Sequence, residues 1–72
     1  MSADDLRSLL RATPFRPFTV YLPSDKAFSV QHPEFAALTP PGRTMIVFHA
    51  EDNGFDLLEV PLITRIELQE TE

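Results

Sequence analysis

A chain of 72 residues makes one domain with one small core, and such a domain buries only about 60% of the surface its unfolded form exposes. It has no cysteine, which excludes disulfide staples, thiolate metal ligands and thiol nucleophiles. Eleven acidic residues against six basic ones give a net charge of -5, and this balance argues against nucleic acid, whose binders carry a basic patch.

The first element is a helix over residues 3–12. Ser2 stands at its N-cap with Asp5 three residues on, close to a capping box. Asp4 and Asp5 suit the positive end of the helix dipole, and Arg7 and Arg11 lie toward the negative end. Leu6, Leu9 and Leu10 form one apolar stripe at i, i+3, i+4 spacing. A helix this short is not stable alone, so the stripe must lie on the rest of the domain. Pro14 disfavours helical geometry at Thr13 and ends it.

Short strands follow, separated by tight punctuation. Phe18, Val20 and Leu22 alternate with Thr19 and Tyr21, the period of a half-buried strand. Pro23-Ser24-Asp25-Lys26 is a turn, and Phe28 and Val30 face inward on the returning strand. His32-Pro33-Glu34 breaks the pairing; residues 35–39 are ambiguous, with Leu38 expected inside. Pro40-Pro41-Gly42-Arg43 is a second turn. The continuous run Met45-Ile46-Val47-Phe48 predicts a strand buried on both faces or nearly so, with Ile46 and Phe48 in the core. Asn53-Gly54 is expected to supply positive φ for a hairpin. A strand over residues 55–60 places Leu57 and Val60 inside, and Pro61 marks an edge, bulge or turn. Ile63 and Ile66 complete the core, with Arg65 and Glu67 on the other face of the last strand. Residues 69–72 read as a frayed tail.

These elements predict a single α+β domain over residues 1–72. A short N-terminal helix precedes a strongly bent antiparallel sheet of four to five strands, left open or closed as a small barrel.

The chain offers little catalytic chemistry. His32 and His49 are its two imidazoles, and neither lies in a metal-ligand motif; surface or loop-bracing roles fit them better. No serine sits in a glycine-flanked nucleophile elbow, and two glycines cannot make a phosphate-cradling loop. A core of this size leaves little room for a ligand pocket. The expectation is therefore a non-enzyme without cofactor, metal or small-molecule substrate. Glu51, Asp52 and Asp56 lack the spacing of a calcium loop and read as a solvated hairpin tip.

The candidate partner-binding residues are Phe15, Arg16, Arg43 and Arg65, because aromatic and arginine side chains dominate binding hot spots. The competing reading of Phe15 with Phe18 is that they staple the helix to the sheet. Sheet edges add a route to dimers or to β-augmentation by a protein partner. No apolar stretch approaches the roughly 20 residues of a membrane span, and the acidic start Met1-Ser2-Ala3-Asp4-Asp5 is unlike a signal peptide. A cytoplasmic location is expected.

The blocks Leu6…Leu9-Leu10, Pro14-Phe15-Arg16-Pro17-Phe18, His32-Pro33-Glu34-Phe35 and Leu62-Ile63-Thr64-Arg65-Ile66-Glu67 together resemble a group of short uncharacterised bacterial proteins. The chain departs from that group at its first hairpin, where Ser24-Asp25-Lys26 stands in place of an Asp-Gly-Arg type turn. The resemblance implies a bacterial origin and a shared fold, and it transfers no activity. A helix followed by short bent strands is also similar in architecture to Sm-like and SH3-like barrels. That likeness implies, as an alternative, an RNA-binding barrel or ring, which would need Arg16, Lys26, Arg43 and Arg65 on one face.

Overall fold

The computed structural model describes residues 2–69. Residues 70–72 of the expected frayed tail fall outside the described residues. Gln69 is tied down, its backbone N–H donating to the Pro17 carbonyl at 2.9 Å.

Helix α1 (Ala3–Arg11) starts where the cap predicts: Ser2 Oγ accepts the Asp5 N–H at 3.2 Å. Leu6 is fully buried, and Leu9 and Leu10 pack half-buried beside it. Arg7 reaches across to donate to the Pro40 carbonyl at 2.7 Å, which ties the helix to the second turn. Gly42 in that turn has φ +80°, and a Cβ there would overlap the Ala3 methyl, so only glycine allows the helix to sit so close.

Six strands follow: β1 (Phe18–Leu22), β2 (Lys26–Val30), β3 (Ala36–Leu38), β4 (Thr44–Phe48), β5 (Phe55–Glu59) and β6 (Arg65–Leu68). They form two antiparallel three-stranded sheets, ordered β2-β1-β6 and β3-β4-β5. The class is α+β. No strand ladder joins the two sheets, so they are not closed into a barrel among the described residues. Proline shapes the connections. Pro33–Phe35 and Val60–Leu62 are single 3-10 turns with proline at their start, and Pro23 opens a turn in which Ser24 and Asp25 take positive φ.

The core lies between the sheets under α1. Phe18, Val20, Val30, Val60 and Ile63 are buried as expected, and Leu22, Phe28, Leu38 and Ile66 pack half-buried on them. In β4 and β5 the expectation fails. Met45, Val47 and Leu58 are the buried residues, while Phe48 and Leu57 are exposed and Ile46 is half-buried. The hydrophobic run of β4 is covered on one face only. Side chains alternate between the two faces of a strand, and among the described residues the inner face carries the buried set and the outer face the half-buried and exposed one.

The turn at Asn53-Gly54 also differs from expectation. Positive φ occurs at Ser24, Asp25 and Gly42 instead. Gly54 is required by space: a Cβ there would come within 2.7 Å of His49 Nδ1.

Candidate functional site

Among the described residues Leu62 and Leu68 are exposed singly, whereas the outer face of β4 and β5 gathers Phe48, Phe55 and Leu57. The ladder places Ile46 opposite Leu57 and Phe48 opposite Phe55. Phe48 is 42% exposed, Phe55 56% and Leu57 64%. Together they show on the order of 300 Å² of apolar side chain, taking about 200 Å² for a whole phenylalanine, and patches of that size on small proteins are often functional.

The patch reaches a free strand edge. β5 pairs with β4 alone in its sheet. At the two ends of that ladder His49 N–H donates to Gly54 O at 3.0 Å and Val60 N–H donates to Arg43 O at 2.9 Å. Hydrogen bonding alternates along an antiparallel strand, so residues 54, 56, 58 and 60 address β4. Phe55, Leu57 and Glu59 therefore turn their N–H and C=O groups to the open edge. Natural edges are blunted by lysine, proline, charge or shortness. β2 opens on Lys26, β6 carries Arg65 and Glu67, and β3 has only three residues. β5, Phe-Asp-Leu-Leu-Glu, has no proline or lysine and carries acidic charge at Asp56 and Glu59, of which Glu59 addresses the open edge.

A histidine clamp holds the tip of this hairpin. His49 Nδ1 lies 3.0 Å from Asp52 Oδ1, and His49 Nε2 lies 2.7 Å from Asp56 Oδ2. A carboxylate on each ring nitrogen calls for a proton on both, the imidazolium form. The hydrogen bond to Asp56 is the main cause that raises the His49 pKa above its ordinary value, followed by that to Asp52. The Gly54 N–H, which donates to Asp52 Oδ1 at 2.7 Å, is the main cause that lowers the Asp52 pKa. Both ring nitrogens are engaged by carboxylates of the same hairpin, an arrangement that braces the loop. His32 stands apart from this clamp, edge-on to Phe35 with ring centroids 5.2 Å apart. No group of three His, Asp or Glu side chains converges as metal ligands among the described residues.

The sequence-predicted partner residues are scattered. Phe15 is half-buried and packs on Phe18 with ring centroids 6.0 Å apart, the stapling arrangement. Arg16 is exposed, with Nη2 3.5 Å from the Gln69 carbonyl, beside one end of β6. Arg65 starts the other end of β6 and lies over the Tyr21 ring, 3.9 Å from its centroid. Tyr21 also donates to Glu67 Oε1 at 2.8 Å, the leading cause that raises its pKa. Arg43 is exposed at the turn before β4 in the other sheet. Lys26 pairs with Leu22, whose face of β1 is opposite to that of Tyr21 and Arg65.

Two open clefts are larger than expected for so small a core. One of about 460 Å³ runs between α1 and β6, lined by Asp5, Ser8, Leu9, Ile66 and Leu68. The other, about 350 Å³, lies between β2 and the clamped hairpin tip, with Phe28, Phe35, Phe48 and His49 on its walls. Sequence reasoning missed the apolar face on β4 and β5 by assigning Ile46, Phe48 and Leu57 to the core.

No family model matches the chain, and no curated protein or solved structure matches it either. No helix among the described residues is long and apolar enough to cross a membrane.

Proposed function

We propose that this domain is a non-enzymatic interaction module whose contact surface is the outer face and free edge of β4 and β5. The observation that carries this reading is the exposure of Phe48, Phe55 and Leu57 beside a strand edge that has no lysine or proline and only Glu59 as an outward charge. A domain with marginal stability has every reason to bury its large apolar side chains, yet three of them are held outward by a regular ladder. A partner that covers them gains apolar burial at about 25 cal/mol per Å² without rearrangement of the core. The rigid clamp at His49 supports the reading, because a preformed surface binds at lower ordering cost.

The resemblance to short bacterial proteins and the absence of cysteine favour the bacterial cytoplasm as its setting. The Sm-like alternative is less well supported, since Arg16 and Arg65 stand at opposite ends of β6 and Lys26 lies on the other face from Arg65.

The test is a comparison of wild type with the Phe55→Ser, Leu57→Ser double variant. Both are used as bait in a bacterial lysate, and both are assayed for self-association. The proposal expects wild type to hold a copy of itself or another protein and the variant to lose it with its thermal midpoint unchanged. A wild-type surface that holds neither would refute the module.

A further inference from the structure

We propose that the occupant of this surface is a basic amphipathic helix of another protein, laid across the outer face of β4 and β5 with its apolar stripe on Phe48, Phe55 and Leu57. This rests on the interaction-module reading and names the chemistry of the partner. The shape of the apolar patch and the charge around it select that occupant.

The shape comes from the ladder. The outward rows are Ile46 beside Leu57 and Phe48 beside Phe55. They lie two residues apart along the strands, about 7 Å, and are two strands wide at about 4.8 Å spacing. On β3 the neighbour of Ile46 is Ala37, so the patch falls away to a small side chain on that side. The exposed apolar area, on the order of 300 Å², belongs to side chains that project from the face, and only a partner lying on the face covers them. A sheet face is covered by a helix or by a second sheet. One helix is about 10 Å across and matches this narrow patch, and positions i to i+7 of its stripe run about 10 Å along it. A second sheet would extend past the apolar rows on both sides. The chain's own helix cannot serve from another copy, because its stripe is spent on the core at Leu6, Leu9 and Leu10.

The sign of the charge comes from the rim. On the outward rows of β3, β4 and β5 the one charged side chain is Glu59, opposite Thr44. Arg43 comes one position before Thr44 and falls to the other face in the alternation. No lysine or arginine occurs in residues 44–64, where Glu51, Asp52, Asp56 and Glu59 stand against the single imidazole of His49. His49 is held by Asp52 and Asp56, while Glu51 and Glu59 have no ion-pair partner among the described residues. The apolar patch thus has an uncompensated carboxylate toward each end. Such a rim repels nucleic acid and anionic lipid and attracts a basic segment.

The cleft of about 350 Å³ adjoins the patch at Phe48 and supplies an anchor for the helix end nearest the hairpin tip. Phe28, Phe35 and Glu51 also line it, and no lysine or arginine does. An arginine of the partner fits this combination, since a guanidinium stacks on a phenyl face and bonds a carboxylate with its edge.

The test uses three synthetic peptides of about 18 residues, or five helical turns. One carries a leucine stripe with arginine on its polar face. The second keeps the stripe and replaces each arginine by glutamate, and the third has the composition of the first in an order that destroys the stripe. Binding is followed by anisotropy of the labelled peptide and by backbone amide shifts of the domain. The arginine peptide should bind about tenfold or more tighter than either control, with a dissociation constant of about 1 μM to 1 mM. Its amide shifts should centre on residues 46–59. Phe55→Ser with Leu57→Ser should weaken it about tenfold or more, and Glu51→Gln with Glu59→Gln about threefold, with a flatter salt dependence and an unchanged melting midpoint. Equal binding of the glutamate peptide overturns the charge selection, and equal binding of the stripeless peptide overturns the helix. Shifts centred elsewhere, such as the cleft between α1 and β6, or no binding at about 1 mM, overturn the proposal outright. If the peptide fails while the serine variant still loses a captured protein or its own copy, the module stands with a different occupant. If both assays fail, both readings fall.

Discussion

Ile46 and Leu57 face each other across the β4–β5 ladder on the outer side of the sheet, while the adjacent pair Met45 and Leu58 is buried inside it. The same two strands thus carry two apolar rows with opposite energetic roles. Truncation of the inner row removes transfer energy and leaves a cavity, so Met45→Ala or Leu58→Ala should cost about 2–5 kcal/mol. Such a loss is a large part of the whole stability of a small domain. Leu57→Ser or Phe55→Ser should change stability by no more than about 0.5 kcal/mol at concentrations where the chain is monomeric. Urea denaturation of the four variants checks the contrast. Large destabilisation by Leu57→Ser in the monomer would place that residue in the core after all.

The helix, the first hairpin and the two glycine or proline turns are legible in the sequence because each depends on local chemistry. Ser2 caps the helix, Leu6 is the centre of its stripe, and Pro23 and Pro40 begin turns. The phase of β4 and β5 is not local. Met45-Ile46-Val47-Phe48 has apolar residues in both phases, and pattern alone cannot choose between them. A signal existed in the next strand: Leu57 and Val60 differ by an odd number of positions and cannot share one face of a strand. Val60 is buried through its backbone bond to Arg43 and selects Leu58 as its inward companion. The His49 clamp depends on a bend that brings residues 52 and 56 to one ring, and no spacing motif records such a bend.

Gly42 is the residue whose backbone lets α1 approach the second turn. A side chain there meets two obstacles, the positive φ of +80° and the Ala3 methyl. Gly42→Ala should therefore destabilise the domain by about 2 kcal/mol or more. Ala3→Gly in the same chain removes the overlap and leaves the φ cost, so the double variant should recover part of the loss. Chemical denaturation of the four members of that cycle measures the coupling between the two positions. Strict additivity would mean that Ala3 is not the obstacle.

The first hairpin carries two non-glycine residues in the left-handed region, Ser24 at φ 69° and Asp25 at φ 63°. A left-handed residue costs about 1–2 kcal/mol, less for aspartate because its short side chain bonds locally. Ser24→Gly should stabilise the domain by about 0.5–1 kcal/mol, net of the entropy glycine adds to the unfolded chain. Asp25→Gly should be closer to neutral. Thermal melts of the two variants test the order. A Ser24→Gly midpoint below that of wild type would show that the serine side chain contributes something the backbone angle does not reveal.

His49 makes the stability of the β4–β5 tip depend on pH, and the sign follows from the shifts. Its pKa is raised in the folded state by the Asp56 and Asp52 bonds, so its contribution is complete below the ordinary value of 6.5 and fades as pH rises through the raised folded value. The Asp52 pKa is lowered in the folded state, chiefly by the Gly54 N–H, so its contribution is complete above 3.8 and fades as pH falls through the lowered value. The clamp is therefore strongest between those two ordinary values. Wild type should melt at a higher temperature at pH 6 than at pH 8, and His49→Gln should lose most of that difference. The tip also sets the position of Phe55, the first residue of the open edge. Amide exchange at residues 52–56 should accordingly speed up as pH is raised, beyond the intrinsic base-catalysed increase. Exchange that follows only the intrinsic rate would mean that the backbone bond from His49 to Gly54 holds the tip without help from the imidazolium.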